Sequence, residues 1–196
     1  LHTASANEFG HDRRADRVDE LFLSYDTYGS IPQHVEPLDV GFFAEEGFHS
    51  LRNAAEPYLL TTYADGRPYA EDLRTIVAER RLTEFDSVRC RALANYLVRL
   101  HERRDPAPQL YRRSIRDLLG HGEGIFGIID SYPDGVPGAP LPRLSAIEKR
   151  CLNWRWKLRS REHRLTRIHG DFHPFNILFG TATELSLVDT SRGSVG

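Results

Sequence analysis

The residues best suited to chemistry lie in His169-Gly170-Asp171-Phe172-His173-Pro174-Phe175-Asn176, with Asp189 beyond them. Asp171, Asn176 and Asp189 are hard oxygen donors, the type Mg2+ takes when it keeps waters and is shared with nucleotide phosphates. Asp171, in a tight loop beside Gly170, is suited to accept the proton of an attacking hydroxyl or to orient it. Asn176 and Asp189 would hold the metal against phosphate oxygens. Phosphoryl transfer asks mainly for such positioning and charge neutralisation, with little covalent chemistry by the protein. Two other readings stay open. The triplet His169, Asp171 and His173 alternates like a transition-metal set and would suit metal-dependent hydrolysis, although zinc needs three or four ligands of imidazole or thiolate character. The whole segment would otherwise be a polar turn whose side chains cap the backbone.

Short apolar runs frame this loop. Residues 167–169 read as a strand entering it, 177–179 as a strand leaving it, and 185–188 as a strand that delivers Asp189. Upstream, the pattern divides in two. Residues 1–4 suit the tail of a strand. Residues 12–28 carry Ala15, Val18, Phe22 and Tyr25 at helical spacing, with Asp12 as the expected N-cap and Ile31-Pro32 as the stop. Runs at 35–43 and 58–63 are strand-like, with a turn expected at Glu45-Glu46-Gly47. A break follows at Ala64-Asp65-Gly66-Arg67-Pro68, and the main boundary falls there.

Beyond the boundary the pattern is mostly helical, with helices expected at 70–79, 85–102, 109–120, 122–131 and 145–160. The helix at 85–102 presents Val88, Ala92, Leu93, Tyr96, Leu97 and Leu100 as its apolar face, and Cys90 beside them is expected to be buried. The basic and aromatic mixture at Asn153-Trp154-Arg155-Trp156-Lys157 reads as an amphipathic helix with snorkelling side chains.

Composition narrows the classes. The 196 residues suffice for one good-sized domain or two small lobes around one core. With 40% hydrophobic and 28% charged residues and a net charge of -2, nothing argues for disorder or a nucleic-acid partner. No apolar run approaches a bilayer span and no signal-peptide pattern opens the chain, so no membrane partner is expected. Cys90 and Cys151 make neither a disulfide framework nor a zinc site, and a reducing, cytoplasmic location is expected. Of 26 basic residues only Lys149 and Lys157 are lysine; the other 24 are arginine. Methionine is absent and residue 1 is Leu, so the expectation is a fragment of a longer protein.

The pattern His-Gly-Asp-x-x-x-x-Asn followed by a strand-borne aspartate resembles the aminoglycoside phosphotransferase superfamily, neighbours of the choline kinases. Arg192-Gly193 after Asp189 also matches, as do the linker-like Tyr58-Leu-Leu-Thr-Thr-Tyr-Ala-Asp-Gly66 and the helix end Leu97–His101. The resemblance implies an α+β, protein-kinase-like fold of two lobes, incomplete at both ends. Residues 1–63 would form a partial, β-rich smaller lobe, and residues 64–196 a helical larger lobe with the catalytic and metal loops. It implies phosphoryl transfer from ATP or GTP to a hydroxyl of a small molecule, with Mg2+ as cofactor. Asp171 would be the catalytic base and Asn176 and Asp189 the metal ligands. Nucleotide would bind at Thr62, Tyr63 and Ala64, through the Thr62 carbonyl and Ala64 amide. His169 would organise the loop, and Arg192 would tether the metal loop. Asp16 or Glu20 would pair with the family's nucleotide lysine. No lysine precedes Lys149, however, and His2 or Thr3 stands near the expected position. The alternative implied by that departure is a nucleotide-binding, pseudokinase-like module without turnover.

Overall fold

The computed structural model describes residues 1–7, 11, 13–43, 56–102, 104, 107–180, 182–190 and 195–196. The expected Asp12 cap, the turn at Glu45-Glu46-Gly47, and Arg192 with Gly193 lie outside them.

Helix α1 spans Arg14–Thr27, and at its start the Arg13 N–H donates to the Asp16 carboxylate at 3.2 Å. Its buried face is Arg17, Leu21 and Ser24, continued by Tyr28 in a following 3-10 turn. The expected stripe of Ala15, Val18, Phe22 and Tyr25 is therefore rotated. Ala15, Phe22 and Tyr25 are exposed. Two polar contacts turn the helix: Arg17 forms a forked ion pair with Glu56 at 2.9 Å per arm, and also donates to the His11 carbonyl at 2.8 Å. A planar guanidinium can satisfy both at once while its stem packs inside.

Strands β1 (Pro37–Phe42) and β2 (Pro57–Thr61) pair antiparallel, Val40 opposite Leu59. On the other edge of β2, His2 and Leu59 exchange both backbone hydrogen bonds at 2.7 and 2.8 Å. Ala4, Leu21, Tyr28, Val35 and Leu59 form the core beneath this sheet.

A second sheet has the order β3 (Arg67–Pro68), β4 (Ile177–Phe179), β5 (Leu185–Leu187), all antiparallel. The expected strand at 167–169 is reduced to an isolated bridge from Arg167 to Val195. Helices α2 (Tyr69–Glu79), α3 (Glu84–Glu102), α4 (Pro108–Gly120), α5 (Ile125–Asp130) and α6 (Leu141–Leu158) complete the α+β architecture. Tyr96 and Leu100 of α3 join Ile31, Ile177, Phe179, Leu185 and Leu187 in a second core. Cys90 is exposed, contrary to expectation. The inward position beside it belongs to Arg89, which lies between the rings of Phe85 and Phe179 at 4.3 and 4.5 Å and pairs with Asp72. The two cores meet along residues 33–35. Val35 N–H donates to the Leu187 carbonyl at 2.9 Å, and Leu187 N–H to the Gln33 carbonyl at 2.8 Å. Among the described residues no helix is long and apolar enough to cross a membrane.

Candidate active site

The 169–176 loop begins on a buried imidazole. His169 is 2% exposed, its ring lies edge-on to Phe172 and tilted against His34, and its Nδ1 accepts the Asp171 N–H at 3.4 Å. Burial pushes its pKa down to about 4, against smaller opposing contributions from the Asp171 and Val188 backbones. His169 is thus a buried, neutral imidazole in contact with the Asp171 backbone. Gly170 has φ +87°, a left-handed turn that a Cβ would oppose, and it delivers an exposed Asp171.

Asn176 closes the loop. Its side-chain nitrogen donates to the Asp171 carboxylate at 2.9 Å and to the Asp171 carbonyl at 3.1 Å. Its own carbonyl accepts the Val188 N–H at 3.0 Å, tying the loop to the residue before Asp189. Asp189 is half-buried with φ +59°, a left-handed conformation that aspartate tolerates better than most residues and that recurs at functional sites. Its pKa is raised, first by burial and then by the nearby Asp171 charge. The charges of His2 and His11 and a hydrogen bond from the Tyr28 hydroxyl act in the opposite sense. The expected trio of Asp171, Asn176 and Asp189 therefore shares one electrostatic neighbourhood at the β4–β5 hairpin.

The donors suit a divalent cation. Asn176 commits its nitrogen to Asp171, which leaves its amide oxygen as a hard ligand. Two carboxylates brought together in a partly dehydrated place favour a positive neighbour. The alternative triplet gathers no such set. Among the described residues His169, Asp171 and His173 form no group of converging metal-ligand atoms, and the His173 ring stacks on Phe175 instead.

The other expected site residues lie at the end of β2. The Thr62 N–H donates to the Glu36 carbonyl, and its hydroxyl accepts the Glu36 N–H, both at 2.9 Å. Among the described residues, neither the Thr62 carbonyl nor the Ala64 N–H has a hydrogen-bond partner. Ala64, like Val40 and Val188, packs against the first core, and Tyr63 is 90% exposed. The turn ends at Gly66, whose φ is +147° and where a Cβ would stand 3.0 Å from the Phe179 backbone.

Of the two acidic residues expected to face the nucleotide cation, Asp16 caps α1. Glu20 instead reaches the Asp189 neighbourhood, and its pKa is raised to about 7 by burial first and then by Glu123 and Asp189. Tyr28 was not among the expected site residues. Its burial at the end of the rotated α1 stripe lifts its hydroxyl to about 12, with the Asp189 charge adding to that rise, so the hydroxyl keeps its proton beside Asp189.

The model of the phosphotransferase enzyme family matches residues 31–189 of the chain. No curated protein matches it.

Proposed function

Because the chain belongs to the phosphotransferase enzyme family, we propose that it moves the terminal phosphoryl group of ATP or GTP to a hydroxyl of a small molecule. The α+β, kinase-like fold divides at the end of β2, with residues 1–63 as the smaller lobe and residues 64–196 as the larger. The nucleotide base takes the Thr62 carbonyl and Ala64 N–H, with Tyr63 at the solvent edge. Asn176 and Asp189 hold Mg2+, which when bound neutralises phosphate charge. Asp171 orients the acceptor hydroxyl and takes its proton. One oxygen–phosphorus bond forms, the bond from the terminal phosphorus to the bridging oxygen breaks, and a nucleoside diphosphate leaves. His169 stays neutral throughout and holds the loop, so the proton's destination is Asp171.

The observation that carries this reading is the clasp of Asn176 on Asp171 in a loop bonded to the residue before Asp189. It orients the base relative to the metal ligands before substrate arrives, which is what positioning catalysis requires. The test is turnover of the intact chain with Mg2+ and ATP or GTP over a panel of hydroxylated small molecules. Asp171→Ala is expected to lower phosphoryl transfer by about 10²–10⁴-fold and to keep the thermal shift given by Mg2+-nucleotide. Equal kcat in variant and parent would remove Asp171 from its role.

One observation favours a second reading, nucleotide binding without turnover. The strand segment beside β2 carries His2, and no lysine precedes Lys149. A nucleotide-dependent thermal shift with no phosphate release or acceptor product would select it.

A further inference from the structure

Away from the loop, three side chains from distant parts of the chain converge on one point. His11 precedes α1, Glu20 is within α1, and Glu123 lies in the turn between α4 and α5. His11 Nε2 stands 3.2 Å from Glu20 Oε2 and 3.6 Å from Glu123 Oε1, and one ligand atom from each residue lies within 4.8 Å of the other two. Ligand atoms around a tetrahedral zinc with bonds of about 2.0–2.1 Å are roughly 3.3 Å apart. The observed separations bracket that value.

The approach is not an ordinary hydrogen-bonded pair. The His11 side chain is 92% buried, since only 8% is accessible, yet Nε2 has no hydrogen-bond partner, and neither does Glu20 Oε2 facing it. Buried polar atoms so placed are normally satisfied, so a ligand between them is the physical alternative. The surroundings also fix the ring. Arg17 holds the His11 carbonyl at 2.8 Å and is itself anchored on Glu56. The Asn7 side-chain amide lies 3.1 Å from Nδ1. Ligation through Nε2 leaves the proton on Nδ1, and the amide, turned over, accepts it through its oxygen. Glu123 is set by its own turn, where its N–H faces the His121 ring at 3.3 Å and Gly124 N–H donates to the His121 carbonyl at 2.8 Å.

We propose that His11, Glu20 and Glu123 form a binding site for a divalent transition cation of the zinc class, linking α1 to the α4–α5 turn. One imidazole with two carboxylates selects zinc over magnesium, which prefers an all-oxygen shell with several waters. Three protein ligands leave a fourth position for water. The site goes beyond the phosphotransfer reading and uses none of Asp171, Asn176 and Asp189.

The test is titration of the intact chain with zinc alone, by calorimetry and by competition with a chromophoric chelator, followed by the visible spectrum of the cobalt-substituted protein. One zinc is expected. Its affinity should fall more than about tenfold in Glu123→Gln, a near-isosteric change at the most accessible ligand, and in His11→Gln, as loss of even a supporting contact costs that much. Asn7→Leu should weaken it by about tenfold. Asn176→Ala should leave it unchanged, and cobalt should give tetrahedral bands that both ligand variants lose. Absence of zinc binding would overturn the proposal and leave a plain His–Glu contact. So would binding lost in Asn176→Ala but kept in both ligand variants, which would put the ion in the loop and leave the phosphotransfer reading standing.

Discussion

The two polar constellations of this molecule are built in opposite ways. Asp171 and Asn176 sit within one loop, are exposed or half-buried, and are joined by hydrogen bonds of their own. His11, Glu20 and Glu123 come from segments far apart in the chain, are largely buried, and approach without hydrogen bonds between His11 and Glu20. The first is a local geometry that short-range spacing specifies. The second exists only after the helices have packed, so its geometry is inherited from the cores.

The sharpest way to break that contrast is to remove a member of the local set and ask whether folding notices. Asp171→Ala should lower kcat by about 10²–10⁴-fold, the usual contribution of a general base, and leave the melting temperature nearly unchanged. A large loss of stability would mean that the loop is part of the scaffold rather than mounted on it. The scaffold itself should respond in the reverse sense. Arg89→Leu leaves the Asp72 carboxylate without its buried partner and removes the guanidinium from between Phe85 and Phe179. A destabilisation of about 3 kcal/mol is expected by chemical denaturation.

Acid should separate the two further. His34 and His169 both have pKa values pushed down to about 4, chiefly by burial. Their stabilising contribution is full above the unfolded value near 6.5 and is lost as pH falls toward 4, because only the unfolded chain takes up protons in that window. Stability should therefore drop by up to about 1.4 kcal/mol per pH unit for each histidine between roughly pH 6 and pH 4.5. His34→Gln should halve the slope; an unchanged slope would show that His34 does not contribute. The smallest effect is expected at the end of β2. Thr62→Val removes the acceptor of the Glu36 N–H and should cost about 1 kcal/mol in the urea midpoint.

How much of this was legible in the letters follows the same division. The strand that leaves the loop and the approximate place of each helix were readable because each depends on spacing within a few residues, whereas the strand expected at 167–169 is only an isolated bridge and α6 begins four residues before its expected start at 145. Helix α3, expected at 85–102, runs Glu84–Glu102, and Tyr96 and Leu100 are its buried pair as the periodicity implied. The face of α1 was not readable. Its apolar letters pointed to Ala15, Phe22 and Tyr25, but Arg17 turns inward because Glu56 and the His11 carbonyl receive it, partners no local pattern reveals. Arg89 deceives in the same way, taking the buried place assigned to its neighbour Cys90. Tyr28 could have been found only by extending the true stripe from Arg17 through Leu21 and Ser24. The convergence of His11 with Glu123 had no sequence signal at all.

The backbone seam between Gln33–Val35 and Leu187 has a mechanical consequence. Strand β5 is gripped on one side by β4 and on the other by this segment, and Asp189 follows two residues after the grip. Any swing of the β1–β2 sheet must pull on the same rail that carries Asp189, so the two travel as coupled parts. The Asp171 loop is tied to the same rail, because the Asn176 carbonyl accepts the Val188 N–H. Such a swing would therefore be transmitted to Asp171 and Asp189 together.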